Sequence, residues 1–213
     1  MFGLSSSADP TIRSSSGFVS APCKVSTRIT KLEGARRQLD CAIRLFFDNE
    51  DALAVHTLSR ASFRVLFDLY PKHLQDGFLG EVNSLVERTV GWRAFNLVTN
   101  FLKHADKDPY DAISEISLES NEAFIGIAAI LYSRLSSRYT PEMRAFDDWM
   151  HAIYPEAFQP PSHEDPEVER LYGKRVRELP LEARLMAGKA ILDFYRKNPA
   201  HPRLDAMVGP RQR

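Results

Sequence analysis

The sequence predicts an all-α fold, an antiparallel helical bundle with a C-terminal helical hairpin, and three observations carry that expectation. Apolar residues recur at three- and four-residue spacing in most segments between turn signals. The segment 120–135 is apolar around its whole circumference, which marks a helix at the centre of a bundle. The connections between periodic segments are short, which favours antiparallel neighbours. One stretch, 112–118, reads as extended with Ile116 and Leu118 on one side, but a lone strand forms no stable sheet.

Composition narrows the function classes. The 213 residues suit one domain with tails or a helical appendage, and 44% hydrophobic with 26% charged residues is ordinary globular usage. The 28 basic and 28 acidic residues cancel, which removes any whole-chain electrostatic drive toward nucleic acid. The longest greasy stretch, 123–132, falls far short of the ~20 residues of a membrane span, so no membrane partner is expected. Cys23 and Cys41 form neither metal-type spacing nor a disulfide framework, which points to a reduced, cytoplasmic protein.

The elements follow in order. Residues 1–25 are Ser-rich, with Gly3, Pro10, Gly17 and Pro22, and read as a disordered tail. Asp9 and the lack of an amphipathic arginine face argue against a transit peptide, despite Arg13, Lys24 and Arg28. A bundle domain is expected over 26–155. Thr30-Lys31-Leu32-Glu33 has the capping-box pattern, and Ile29, Leu32, Leu39, Ile43, Phe46 and Phe47 follow at helical spacing. That helix runs to Asp48, with Asn49-Glu50-Asp51 as the turn.

The second helix, 52–69, sets Leu58, Ser62, Val65, Leu66 and Leu69 on one face and His56, Phe63 and Phe67 opposite, with Pro71 ending it. Two apolar faces imply a helix covered twice, either centrally or at a subunit interface. The second alternative gives a homodimer with Phe63 and Phe67 buried between subunits. A weaker helical pattern, Val82, Leu85, Val86 and Val90, reaches a break at Gly91. One helix then spans 92–105, stopped by Asp106-Lys107-Asp108-Pro109.

Beyond the central 120–135 helix, Thr140 caps the next one with Pro141 at its first position. Phe146, Trp149, Met150 and Ile153 form its buried stripe. Residues 156–165 are a proline-rich linker. Asp165-Pro166 and Pro180 open the two arms of a hairpin over 166–198, and 199–213 reads as a loose tail.

The 92–105 helix is where chemistry is expected. At 100° per residue Arg93, Asn100 and His104 fall within about 40° of one another, with Asn96 and Lys103 beside them. His104 is the candidate acid and base, since histidine is the side-chain type suited to both accept and donate a proton. Asn100 would orient it or the substrate, and Lys103 would meet phosphate. Arg93, Asn96 and His56 are the candidate binding residues. The plain readings stand beside these. Lys103 and His104 in a last turn interact with the helix dipole by about 0.3–1 kcal/mol. His56 beside Phe63 and Phe67 has the setting of a hydrogen-bonded core histidine.

His56, His104, Asp106 and Asp108 are metal-capable types, yet no local pair has ligand spacing, so neither a metal nor a cofactor is expected. No phosphate-cradling glycine loop, nucleophile elbow or H-E-x-x-H helix is present. Lys174, Arg175, Arg177, Arg184, Arg196 and Lys197 are interleaved with glutamates, which is the pattern of a solvated helix surface.

Three stretches carry a resemblance: 35–47, Val55-His56-Thr57-Leu58, and the N-F-x-K-H-A-D-x-D-P run of 100–109. Over about 31–154 the chain resembles a bacterial family of small helical proteins that carries no assigned activity. More loosely it is similar to HEPN domains, all-α bundles that often act as metal-independent RNases. Their signature is an arginine, commonly followed by a polar residue, and a histidine four to six residues after the arginine. Asn100 and His104 match the polar residue and the histidine, while Thr99 stands where the arginine should be. The resemblance therefore lacks the guanidinium that stabilises phosphorane charge. Arg93 lies about 16 Å away along the axis and reaches a His104 only across a dimer.

The sequence thus leads to a non-enzymatic helical interaction or regulatory protein, a homodimer with room for a protein partner. The alternative is a HEPN-like metal-independent ribonuclease, or a degenerate relative, of a toxin or defence system acting on RNA.

Overall fold

The computed structural model describes residues 28–89, 91–104, 106–107, 109–157, 170–173 and 175–205. The expected disordered tail, most of the expected linker and the start of the expected hairpin lie outside the described residues. The fold is all-α, and among the described residues no strand forms. The sole ladder-type pairing there is a bridge between Arg138 and Asp205.

Thr30 starts α1 (Lys31–Phe47): its hydroxyl accepts from the Glu33 N–H at 3.1 Å, and Glu33 pairs with Arg36 and Arg37. Asp51 caps α2 (Ala52–His73) through the Ala54 N–H at 2.9 Å. Pro71 does not end this helix. It sits in the last turn, where its missing N–H removes one bond, and Leu74 N–H still donates to Tyr70 O at 2.8 Å.

Next come α3 (Phe78–Thr89), α4 (Gly91–Phe95) and α5 (Leu97–Lys103). The break expected at Gly91 is there, with φ at +71°, a value glycine adopts without strain. Residues 111–117 carry no regular structure and lead into a 3₁₀ turn, Leu118–Asn121. The central helix α6 is Glu122–Ser136. Thr140 caps α7 (Pro141–Ile153) through Met143 N–H at 3.1 Å, with Pro141 in the first turn.

α1, α2 and α6 pack together through Leu39, Ile43, Leu66, Ile125, Ala128 and Leu131, all fully buried. Both apolar faces of α2 are covered within the chain. Phe63 is 1% exposed, with the rings of Trp92, Phe95 and Phe124 at 6.5, 5.7 and 5.9 Å. Phe63, expected between subunits, is instead covered by α4 and α6 of its own chain, and the half-buried Phe67 packs on Trp92 of α4.

The remaining side of α1 receives α7 and α8 (Leu181–Lys197). Phe46 meets Phe146 and Trp149 edge-on at 5.3 Å each, and Trp149 Nε1 donates to Arg184 O at 3.1 Å. Leu185, Leu192 and Tyr195 of α8 are buried in that same core. In the described part of the expected first hairpin arm, residues 170–172 are helical and Val176–Glu178 form a 3₁₀ turn.

The expected loose tail is anchored as far as Asp205. Arg203 reaches the buried Asp148, Tyr139 N–H donates to Leu204 O at 2.8 Å, and Leu204 is 1% exposed. No described helix is long and apolar enough to cross a membrane.

Candidate functional site

The predicted single helix over 92–105 is two short helices meeting at Asn96, whose φ and ψ are −100° and 0°. Asparagine offers the backbone competing hydrogen bonds, and here both ends of its side chain are taken. Its Nδ2 donates to Trp92 O at 2.7 Å, and its Oδ1 accepts from Arg60 Nη2. Asn96 is therefore half-buried and turned toward α2, not part of an outward strip with His104.

Arg93, Asn100 and Lys103 are exposed, and His104 is half-buried at the C-cap of α5. The His104 backbone N–H donates to Asn100 O at 3.1 Å, and its carbonyl accepts from Lys107 at 2.8 Å. Asn100 and His104 thus stand one turn apart at the surface end of α5.

His56 is 3% exposed and meets Thr99, not His104. Its protonation follows from its partners. Asn121 Nδ2 donates to Ala52 O at 3.0 Å, which leaves Asn121 Oδ1 as an acceptor 3.1 Å from His56 Nδ1. Nδ1 therefore carries the proton, and Nε2 accepts from Thr99 Oγ1 at 3.0 Å. Burial lowers the His56 pKa, partly offset by the Asn121 bond, and the Arg60 charge lowers it further. The result is a neutral histidine that ties α2, α5 and the start of α6 together.

The same bond explains the departure from the HEPN-type pattern. Thr99, at the position of the motif's arginine, is 7% exposed and faces His56 in the interior. A guanidinium there would be directed into the core rather than toward Asn100 and His104.

Sequence reasoning missed Arg60 and Asn121. Arg60 lies four residues after His56, and its guanidinium stands over the rings of Phe63 and Phe124 at 5.1 and 5.6 Å. The signal was its place on the His56–Phe63–Phe67 stripe, where a charged residue interrupts an apolar face. Asn121 gave no signal beyond its helix-start position, since its partner is 65 residues away.

Two further polar clusters lie in the interior. Asp148, fully buried, accepts from Arg144, Arg203 and Tyr195. Glu122 is 7% exposed at the start of α6, and one of its carboxyl oxygens is buried without a hydrogen-bond donor. Burial first, then the Glu119 charge, raises its pKa to about 7, against a hydrogen bond from Tyr154 and the Arg184 charge. Among the described residues no group of three His, Cys, Asp or Glu could hold a metal ion.

Compared with family models, with curated proteins and with solved structures, the chain finds no match.

Proposed function

We propose that the chain is a non-enzymatic helical interaction or regulatory protein that works through the outer surface of α5. The observation that carries this reading is the way α5 is mounted. Thr99 fixes it to His56, while Leu97 and Leu102 stand 52% and 43% exposed beside Asn100 and Lys103. Exposed leucines rimmed by amide and amine groups suit a protein partner better than solvent. In this reading the protein acts in the cytoplasm and its first partner is a second copy of itself. Sedimentation velocity tests the assembly. The wild type should show a concentration-dependent dimer at micromolar levels, and Leu97→Asp should remain monomeric. A wild type that stays monomeric throughout that range would remove self-association from the reading.

A second reading rests on Asn100 and His104, one turn apart at the surface end of α5. In it the chain is a HEPN-like ribonuclease or a degenerate relative, with His104 as acid and base and Lys103 or Arg93 meeting phosphate. The inward placement of Thr99 is the observation against it.

A further inference from the structure

Arg60 is a half-buried cation with no carboxylate bonded to it among the described residues. Arg36, Arg144 and Arg203 are held differently: each is bonded to a carboxylate, Asp40 for the first and Asp148 for the other two. A guanidinium removed from water needs such a partner, because an amide and two aromatic faces only partly replace its hydration. Of its nitrogens, Nη2 donates to the neutral Asn96 Oδ1, and Nε is shut away from solvent without an acceptor. Nη1 has no acceptor among the described residues, which leaves it to meet a ligand.

The surroundings add positive charge. Burial, and then the Arg64 charge, lowers the Arg60 pKa, while Asp68 acts weakly the other way. Asp68 is two turns along α2, about 12 Å away by helical rise. It is bonded to Arg64 at 2.8 Å in a pair exposed on both sides. Such an exposed i,i+4 pair is worth only about 0.3–0.5 kcal/mol, so Arg64 is readily redirected. Arg60 and Arg64 are one turn apart, roughly 6 Å. The Arg64 charge is felt at Arg60, and once released from Asp68 its long side chain can swing to add a second forked donor to a tetrahedral dianion held by Arg60.

We infer that Arg60, assisted by Arg64, forms a binding site for a phosphate dianion where α2 meets Asn96, the ligand being inorganic phosphate or a small phosphomonoester. The dianion supplies the counter-charge that no described carboxylate gives Arg60, while Asn96 holds the guanidinium plane in place. Binding is non-covalent and moves no proton or electron pair.

Calorimetric titration of the full chain with inorganic phosphate, at neutral pH and constant ionic strength, tests the site. Saturable one-to-one binding is expected. Arg60→Gln should abolish it, and Arg64→Gln should weaken it about fivefold or more, the loss of one charge-assisted contact. Arg175→Gln, at an exposed ion pair elsewhere, should leave it unchanged. Arg64 is exposed, so its variant keeps the test decisive even where Arg60→Gln folds poorly. Dimethyl phosphate, a diester monoanion, should bind about tenfold more weakly, which separates a phosphomonoester from a nucleic-acid backbone. Absence of saturable heat, equal affinity in both arginine variants, or equal binding of the diester would each overturn the assignment.

Discussion

His56 Nδ1 and Asn121 Oδ1 stand 3.1 Å apart across 65 residues of sequence, and this contact fixes the tautomer of the buried histidine. The second arm of the same ring reaches Thr99 at 3.0 Å and so holds α5 against the bundle. The histidine is a joint between α2, α5 and the start of α6.

Replacing Asn121 by Ala should therefore cost about 1–3 kcal/mol, because it leaves the buried His56 ring N–H unpaired and removes the side-chain bond to the Ala52 carbonyl. Burial holds the folded-state pKa below the ordinary 6.5, so the contribution of His56 to stability is present above that value and falls as the pH drops below it. Chemical denaturation of Asn121→Ala reads the loss, and nitrogen NMR of the wild-type imidazole reads the ring, which at pH 6.5 should be neutral and protonated on Nδ1.

Glu122 works in the opposite direction. Its folded pKa of about 7 lies above the ordinary 4.5, so stability rises as the pH falls from 7 toward 4.5, and the charged form is a cost at higher pH. Glu122→Gln should stabilise the protein by about 1–3 kcal/mol at alkaline pH and change it little in mild acid, where Glu122 is already protonated. Thermal melting of both forms across that range reads the difference.

Gly188 of α8 sits directly on the Phe47 ring of α1, and a Cβ there would overlap three ring carbons. Gly188→Ala should force the ring or the helix to shift at a cost of about 1–3 kcal/mol, despite the better helix propensity of alanine. A melting temperature equal to or above that of the wild type would show that α8 has room to move.

These contacts also show which parts of the fold were legible. Helix starts written in local chemistry, Thr30 three residues before Glu33 and Thr140 ahead of Pro141, are where the sequence places them. So is the largely apolar α6, whose Ile125, Ala128 and Leu131 are fully buried. The break at Asn96 was not legible, because the Arg60 side chain that captures it arrives from 36 residues away. For the same reason the polar strip read as five neighbours is three exposed residues, Arg93, Asn100 and Lys103, with a half-buried His104. Phe63 gave a true signal, a second apolar face on α2, but periodicity could not say that Trp92, Phe95 and Phe124 would cover it.

The C-terminal stretch was the other blind spot, since its anchor is an ion pair with a partner 55 residues away. Arg203→Ala leaves Asp148, which is fully buried, with Arg144 and Tyr195 alone. A loss of about 3 kcal/mol is expected, the low end for breaking a buried pair. Truncation after residue 198 should cost at least as much, because Leu204 leaves the core too. Chemical denaturation of the three proteins gives the comparison, and a truncated chain as stable as the intact one would show that residues 199–205 dock without consequence.

We propose that this helical protein binds rather than cuts, and an assay for RNA cleavage by the purified full chain in the presence of EDTA decides between the two. Thr99 turns the expected arginine position inward, and His104 ends α5 with no charged partner among the described residues. No cleavage above that of a His104→Ala control is expected. Metal-independent cleavage that disappears in His104→Ala, with the fold intact, would contradict it and establish the ribonuclease reading.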